Sequence, residues 1–211
     1  MIIKNKATIL LSITNIVVYF IVYFMFFDEI SNATLSSANL VEVGSICALN
    51  IAHGEWYRLL TSMFLHIRFS HLFNNILFLI LFGTILESMI GSSRYIITCI
   101  GGGLIGNIAV FLSYYNIYRT TGRLHVMAGS SVCIFAILGA MLALGIKSSK
   151  EVGKIPAIGF LIGITMFILS GITDSEVCLT GHIGGLLGGF LIGLLFAYTE
   201  KRRNQKEKRN F

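Results

Sequence analysis

The sequence predicts an all-α membrane protein, a single domain of six transmembrane helices. Three observations carry that expectation. The 211 residues are 55% hydrophobic and only 12% charged, with a mean hydropathy of +0.81, which is too apolar for a soluble domain of that size. Several apolar runs reach the roughly 18–20 residues that cross a bilayer. Glycine is abundant (22) and proline nearly absent (1), the balance expected of closely packed membrane helices rather than of a disordered linker.

The first span covers residues 7–27, behind a short basic stretch from Met1 to Lys6. It is long for the apolar part of a signal peptide and no small-x-small cleavage site follows, so a retained span is expected. The connection from Asp28 to Ser70 has 43 residues, far beyond ordinary helix–helix loops of about 2–8. Within it Trp56, Leu59, Leu60, Met63 and Phe64 recur at helical spacing, which predicts a short helix in the headgroup region. Span two covers 71–90 and ends in the turn Gly91-Ser92-Ser93-Arg94, and span three covers 95–115. Span four, 131–146, is short. A basic loop from Lys147 to Lys154 leads to span five, 155–172, with Pro156 in its first turn, where proline is tolerated. An acidic loop, Thr173 to Thr180, precedes span six, 181–199, and residues 200–211 form a basic tail. The four cysteines show no metal-ligand spacing. A Cys47–Cys178 disulfide is geometrically open, with free thiols the preferred reading.

The placement of charge predicts orientation. With a cytoplasmic N-terminus, Lys4, Lys6, Arg94, Lys147, Lys150, Lys154 and the basic residues of the tail fall on the inner side. Only Arg58, Arg68, Arg119 and Arg123 fall outside. This asymmetry satisfies the positive-inside rule and accounts for the net charge of +6 without nucleic acid. A multi-pass protein of the cell membrane with both termini cytoplasmic is expected.

That orientation brings distant polar residues to one depth. Spans two, four and six all run inward and each opens on polar residues: His71 and Asn75, Gly129-Ser130-Ser131, and Gly181-His182. Polar and ionisable groups inside a membrane are expensive and are candidates for function. His71 and Asn75 are spaced i, i+4 and share a helical face, so both could donate toward one point, as oxyanion donors do, or simply bond a neighbouring helix. Gly185-x-x-x-Gly189-x-x-x-Gly193 lets span six approach a neighbour at backbone distance, with His182 on about the same face. If that neighbour is span four, the imidazole reaches the Ser131 hydroxyl. Phe135, at i+4 from Ser131, is then placed to support the ring. No cofactor or metal is called for.

These motifs resemble the rhomboid family of intramembrane serine proteases. The resemblance rests on Gly129-Ser130-Ser131, on His182-Ile183-Gly184-Gly185 with Gly189, and on His66, His71 and Asn75. It extends to Phe82-Gly83-x-x-Leu86-Glu87, Gly91-Ser92-x-Arg94 and Gly106-Asn107, covering about residues 55–193 in the family's order. It implies a six-helix bundle with Ser131 as nucleophile, His182 as base, and His71, Asn75 and the Ser131 backbone N–H as oxyanion donors. It also implies substrates that are membrane proteins with single transmembrane helices, admitted where span five and the following loop move. The chain departs from the family in having Ser130 and Val132 where Ala and Gly are usual, and Tyr57-Arg58 where Trp-Arg is usual. Two other classes compete: a catalytically inactive relative that binds membrane helices, and a small transporter. The first would be expected to lack Ser131 or His182. The second would favour intramembrane charge pairs or broken helices in symmetric halves, and Glu87 is the one acid within a span, near its inner end.

Overall fold

The computed structural model describes residues 5–27, 34–147, 158–161, 163–165 and 178–209. Four of its helices are long and apolar enough to cross a membrane. They are α1 (Lys6–Met25), α5 (Phe69–Ile90), α6 (Ser92–Thr121) and the apolar part, Leu179–Thr199, of α8 (Leu179–Arg209). A shorter apolar helix, α7 (Ser131–Lys147), runs among α5, α6 and α8. Most of span five and of the loop after it lies outside the described residues. Within the described part, Gly159 faces Met141 and Gly163 faces Leu138 of α7.

The exterior of the bundle is apolar. Leu10, Phe24, Leu112, Leu191 and Leu195 are each about 60% exposed or more, an arrangement that suits lipid tails and not water. The interior is more mixed. On α1 the buried residues are Ala7, Thr8, Ser12, Asn15, Tyr19 and Val22, and from Thr8 onward they form a stripe at 3–4-residue spacing. α7 is buried almost all round, with Val132, Ala136, Ile137, Ala140, Met141 and Ala143 fully inaccessible, as a helix surrounded by helices must be.

Glycine sets the distances in this core. Along α8, Gly185 lies where a Cβ would stand 2.5 Å from the Val132 carbonyl oxygen, and Gly189 lies against the Ala136 carbonyl. Gly193 continues the row against the Ala140 Cα at 2.9 Å. A second row faces α6: Gly184 would meet the Gly106 Cα at 2.9 Å, and Gly188 the Gly102 Cα at 3.1 Å. Two sides of one helix thus approach two neighbours at backbone distance. Packing of this kind replaces the hydrophobic drive that lipid does not supply.

At the other end of α5, Glu87 is 3% exposed and collects four donors. The N–H groups of Ala7 and Thr8 reach it at 2.9 and 2.8 Å, the Thr8 hydroxyl at 2.7 Å and the Ser92 hydroxyl at 2.6 Å. The first N–H groups of α1 have no partner within their own helix, and a carboxylate there also complements the helix dipole. One side chain therefore joins α1, α5 and the start of α6.

The long first connection is a folded layer. It contains α2 (Ser37–Glu42), β1 (Ile46–Cys47), α3 (Ala48–Ala52), α4 (Arg58–Thr61) and a 3₁₀ turn over Ser62–Phe64. Arg58, read from sequence as an exterior loop cation, is only 4% exposed. Its guanidinium donates to the carbonyls of Val41 and Ser45 and to Glu55. The Glu55 carboxyl is held far below its usual range, to about 2, by the Asn50 amide first and then by the Tyr57 hydroxyl and Arg58. Leu59 and Met63 point into the core while Trp56 and Leu60 face outward, so the helical spacing seen in the sequence marks a two-sided element. β1 pairs antiparallel with β2 (Val126–Met127), matching Ile46 to Met127 and Cys47 to Val126. All four cysteines are free thiols.

α6 has 30 residues, about 45 Å of helix, and runs past the expected end at Tyr115. It stops where Gly122 takes the left-handed conformation (φ 71°) and its N–H closes on the Tyr118 carbonyl. α8 likewise continues as helix through the basic stretch to Arg209.

The glycine contacts make a direct test. Gly189→Ala drives a methyl into the Ala136 backbone, which has no side-chain freedom to give way. It should destabilise the fold by roughly 1–3 kcal/mol or more, read as a lower midpoint of reversible unfolding in detergent micelles. An unchanged midpoint would show that the two helices are held apart from this contact.

Candidate functional site

The site gathers at the ends of α5, α7 and α8. α7 opens on Ser131, and the preceding turn is set by Gly129, whose φ of 141° is strained for any residue with a side chain. The Gly129 N–H donates to the Ser62 carbonyl at 2.9 Å. Ser62 is itself fastened by α6: the Asn107 amide donates to the Leu59 carbonyl at 2.7 Å and to the Ser62 hydroxyl at 3.0 Å. The turn thus rests on the first connection, which rests on α6. The Ser130 carbonyl accepts from the N–H groups of Cys133 and Ile134, closing the first turn of α7.

α8 begins at Leu179, and the His182 N–H donates to the Cys178 carbonyl at 3.1 Å. Glycines on both sides of this turn let it sink between α6 and α7. A Cβ on Gly181 would meet Val110 at 2.8 Å and Val132 at 3.2 Å. His182 is consequently 4% exposed, and its Nε2 lies 2.7 Å from the Ser131 Oγ. The Phe135 ring stacks on the imidazole, with centroids 4.3 Å apart and planes 16° from parallel.

His71 enters from the first turn of α5. A Cβ placed on Gly129 would lie 2.9 Å from His71 Cε1, 3.1 Å from its Nε2 and 3.8 Å from Ser131 Oγ. The imidazole and the hydroxyl therefore converge over a residue that has no side chain to separate them. Asn75 follows one turn later, is 4% exposed and donates to the His71 carbonyl at 2.9 Å. One of its amide N–H groups is engaged there, and an amide has two.

The two hydroxyls of the Ser130-Ser131 pair differ sharply. Ser131 is half-buried, whereas Ser130 is 2% exposed and its Oγ faces His66 Nε2 at 3.4 Å. His66 is 1% exposed, and its ring meets His71 edge to face at 5.2 Å. Burial pushes the His66 imidazole far down, to about 3, with His71 the next cause and the Phe64 backbone acting weakly the other way. Val132, which stands where the family usually has Gly, is fully buried and lies against Gly181. Among the described residues no group of three or more His, Cys, Asp or Glu is placed to hold a metal. The contact of His66 with Ser130 and the seat of His71 on Gly129 escaped the sequence reading. The available signal was a second histidine five residues before His71 beside a hydroxyl in place of a methyl.

Comparison with known proteins accords with this geometry. Residues 53–199 match the Rhomboid domain family. The chain is 32% identical to the putative rhomboid protease YdcA of Bacillus subtilis over 155 residues, covering 74% of each chain. It is 35% identical to rhomboid protease GluP of Bacillus subtilis, covering 78% of this chain and 31% of that one. It is 28% identical to rhomboid-like protease 1 of Toxoplasma gondii, covering 74% of this chain and 53% of that one. With its apolar helices and the Rhomboid domain spanning most of its length, this chain is an integral, multi-pass membrane protein of the rhomboid family of intramembrane proteases.

Proposed function

We propose that this protein is an active serine endopeptidase that cleaves membrane-spanning segments of other membrane proteins, using Ser131 as nucleophile and His182 as base. The observation that most supports this reading is the 2.7 Å approach of His182 Nε2 to Ser131 Oγ under the stacked Phe135 ring. In the proposed reaction neutral His182 takes the Ser131 proton as Oγ attacks the scissile carbonyl. The imidazolium then returns that proton to the leaving amine as the C–N bond breaks, and water hydrolyses the acyl-enzyme by the same path in reverse. Phe135 does the orienting that a carboxylate performs in soluble triads. Glu87 is unsuited to it, lying about 24 Å along α5 from His71 and bonded to α1.

The developing oxyanion would be met by the Ser131 backbone N–H, the His71 ring and the second amide N–H of Asn75. A single domain of six spans, with the basic tail cytoplasmic, a cell-membrane location and single-helix substrates, completes the proposal. Its basis is the apolar patterning and the charge asymmetry. An inactive, helix-binding relative is the less favoured reading, since both reactive groups are kept and lie in contact.

Three outcomes are expected. A fluorophosphonate or isocoumarin should label the native protein and the Ser130→Ala variant, and should fail to label Ser131→Ala and His182→Ala, neither of which cuts a single-span substrate in detergent. Labelling that survives in Ser131→Ala but vanishes in Ser130→Ala would move the nucleophile to the other serine. For the oxyanion donors, Asn75→Ala alone should lower kcat by about tenfold. The His71→Ala, Asn75→Ala pair should lower it by about 10²–10³, and full turnover in the pair would reduce both residues to packing. Finally, cysteines introduced at Asp28 and at Asn204 should react with impermeant reagents from opposite faces of the membrane. Reaction of both from one face would overturn the six-span topology.

A further inference from the structure

The turn that carries Ser131 also carries a second hydroxyl, and its surroundings give it work of its own. Ser130 and His66 are both almost fully buried, so neither can touch a substrate. Their contact, Oγ to Nε2 at 3.4 Å, spans 64 residues of sequence and ties the α7 turn to the strand of chain entering α5. His66 in turn lies edge to face against His71. His71 is thus held between two groups: the Gly129 backbone, whose missing Cβ leaves room for the ring at 2.9 Å, and the His66 ring behind it.

We infer that Ser130 is a positioning residue for the proteolytic reaction, whose hydroxyl is paired with His66 Nε2 and so sets the stance of the His66 ring against which His71 rests. This deepens the proposed function and rests on it. A neutral imidazole carries one N–H and one bare nitrogen, and burial keeps His66 neutral. Its Nε2 and the Ser130 hydroxyl can therefore share one hydrogen bond in either tautomer, because a hydroxyl both donates and accepts. The neighbour of Ser130 in sequence is the proposed nucleophile, so the hydrogen bond locks the Ser131 turn and the His71 ring into one rigid unit. Pre-set donors of this kind act on the transition state more than on the bound ground state.

The test uses full-length protein and a fluorogenic single-span substrate. Ser130→Ala should still react with fluorophosphonate but lose about 3- to 10-fold in kcat, the worth of one hydrogen bond, with KM and the unfolding midpoint little changed. In a His71→Ala background the same substitution should bring no further loss, because its effect passes through His71. Equal kcat for native and Ser130→Ala proteins overturns the inference. So does a Ser130→Ala loss of the same factor in the His71→Ala background, which would show the two acting independently, and so does a loss confined to the unfolding midpoint. A native protein that neither labels nor cuts overturns the protease reading itself, a result distinguishable from an active native protein matched by its Ser130→Ala variant.

Discussion

The site depends on the near-contact of two backbones, those of α7 and α8. Because Gly185, Gly189 and Gly193 present no side chains toward α7, the helices lie closer than any pair spaced by side chains. That closeness lets a side chain as short as serine be reached by a histidine from the neighbouring helix. His182 sits one turn ahead of the first of these glycines, so the same contact that packs the helices delivers its imidazole to Ser131 and beneath Phe135. Moving the helices apart by one methyl would undo the packing and the contact of His182 with Ser131 together.

The rest of the structure holds the third partner in place. His71 belongs to α5, and its position is secured by polar links. Asn107 of α6 grips Leu59 and Ser62, Ser62 accepts from Gly129, and the Gly129 turn gives His71 its seat. Arg58 does similar work for the first connection, satisfying backbone carbonyls that a membrane would leave unpaired. Far from the site, Glu87 fastens α1 to α5 by meeting the orphaned N–H groups at the start of α1. Glycine contacts thus organise the α6, α7 and α8 core, and buried hydrogen bonds attach α1, α5 and the first connection to it.

Much of this is visible in the amino-acid sequence because a bilayer imposes simple rules. Apolar runs mark α1, α5, α6 and the apolar part of α8, and the four-residue spacing of glycine marks the face of α8 that a neighbour approaches. The i+4 relation between Ser131 and Phe135 within one helix places the ring beside the hydroxyl, a local matter of helical geometry. Polar residues at the starts of three helices single out His71, Asn75, Ser131 and His182 because such groups are costly in lipid.

Tertiary structure decided what depends on contacts between segments far apart in the chain. Nothing local to Arg58 distinguishes an exposed interfacial cation from a buried one; its burial follows from the carbonyls of Val41 and Ser45, which only the folded connection brings to it. Ser130 and Ser131 are adjacent and chemically identical, yet one turns inward to His66 and the other toward His182, a difference set by helix packing on either side of the turn. The extension of α6 beyond Tyr115 was hidden for another reason: residues 116–121 are polar enough to end an apolar run, but nothing in them breaks a helix until Gly122. Hydropathy reports where a segment meets lipid, whereas the helix ends where its backbone hydrogen bonds are capped.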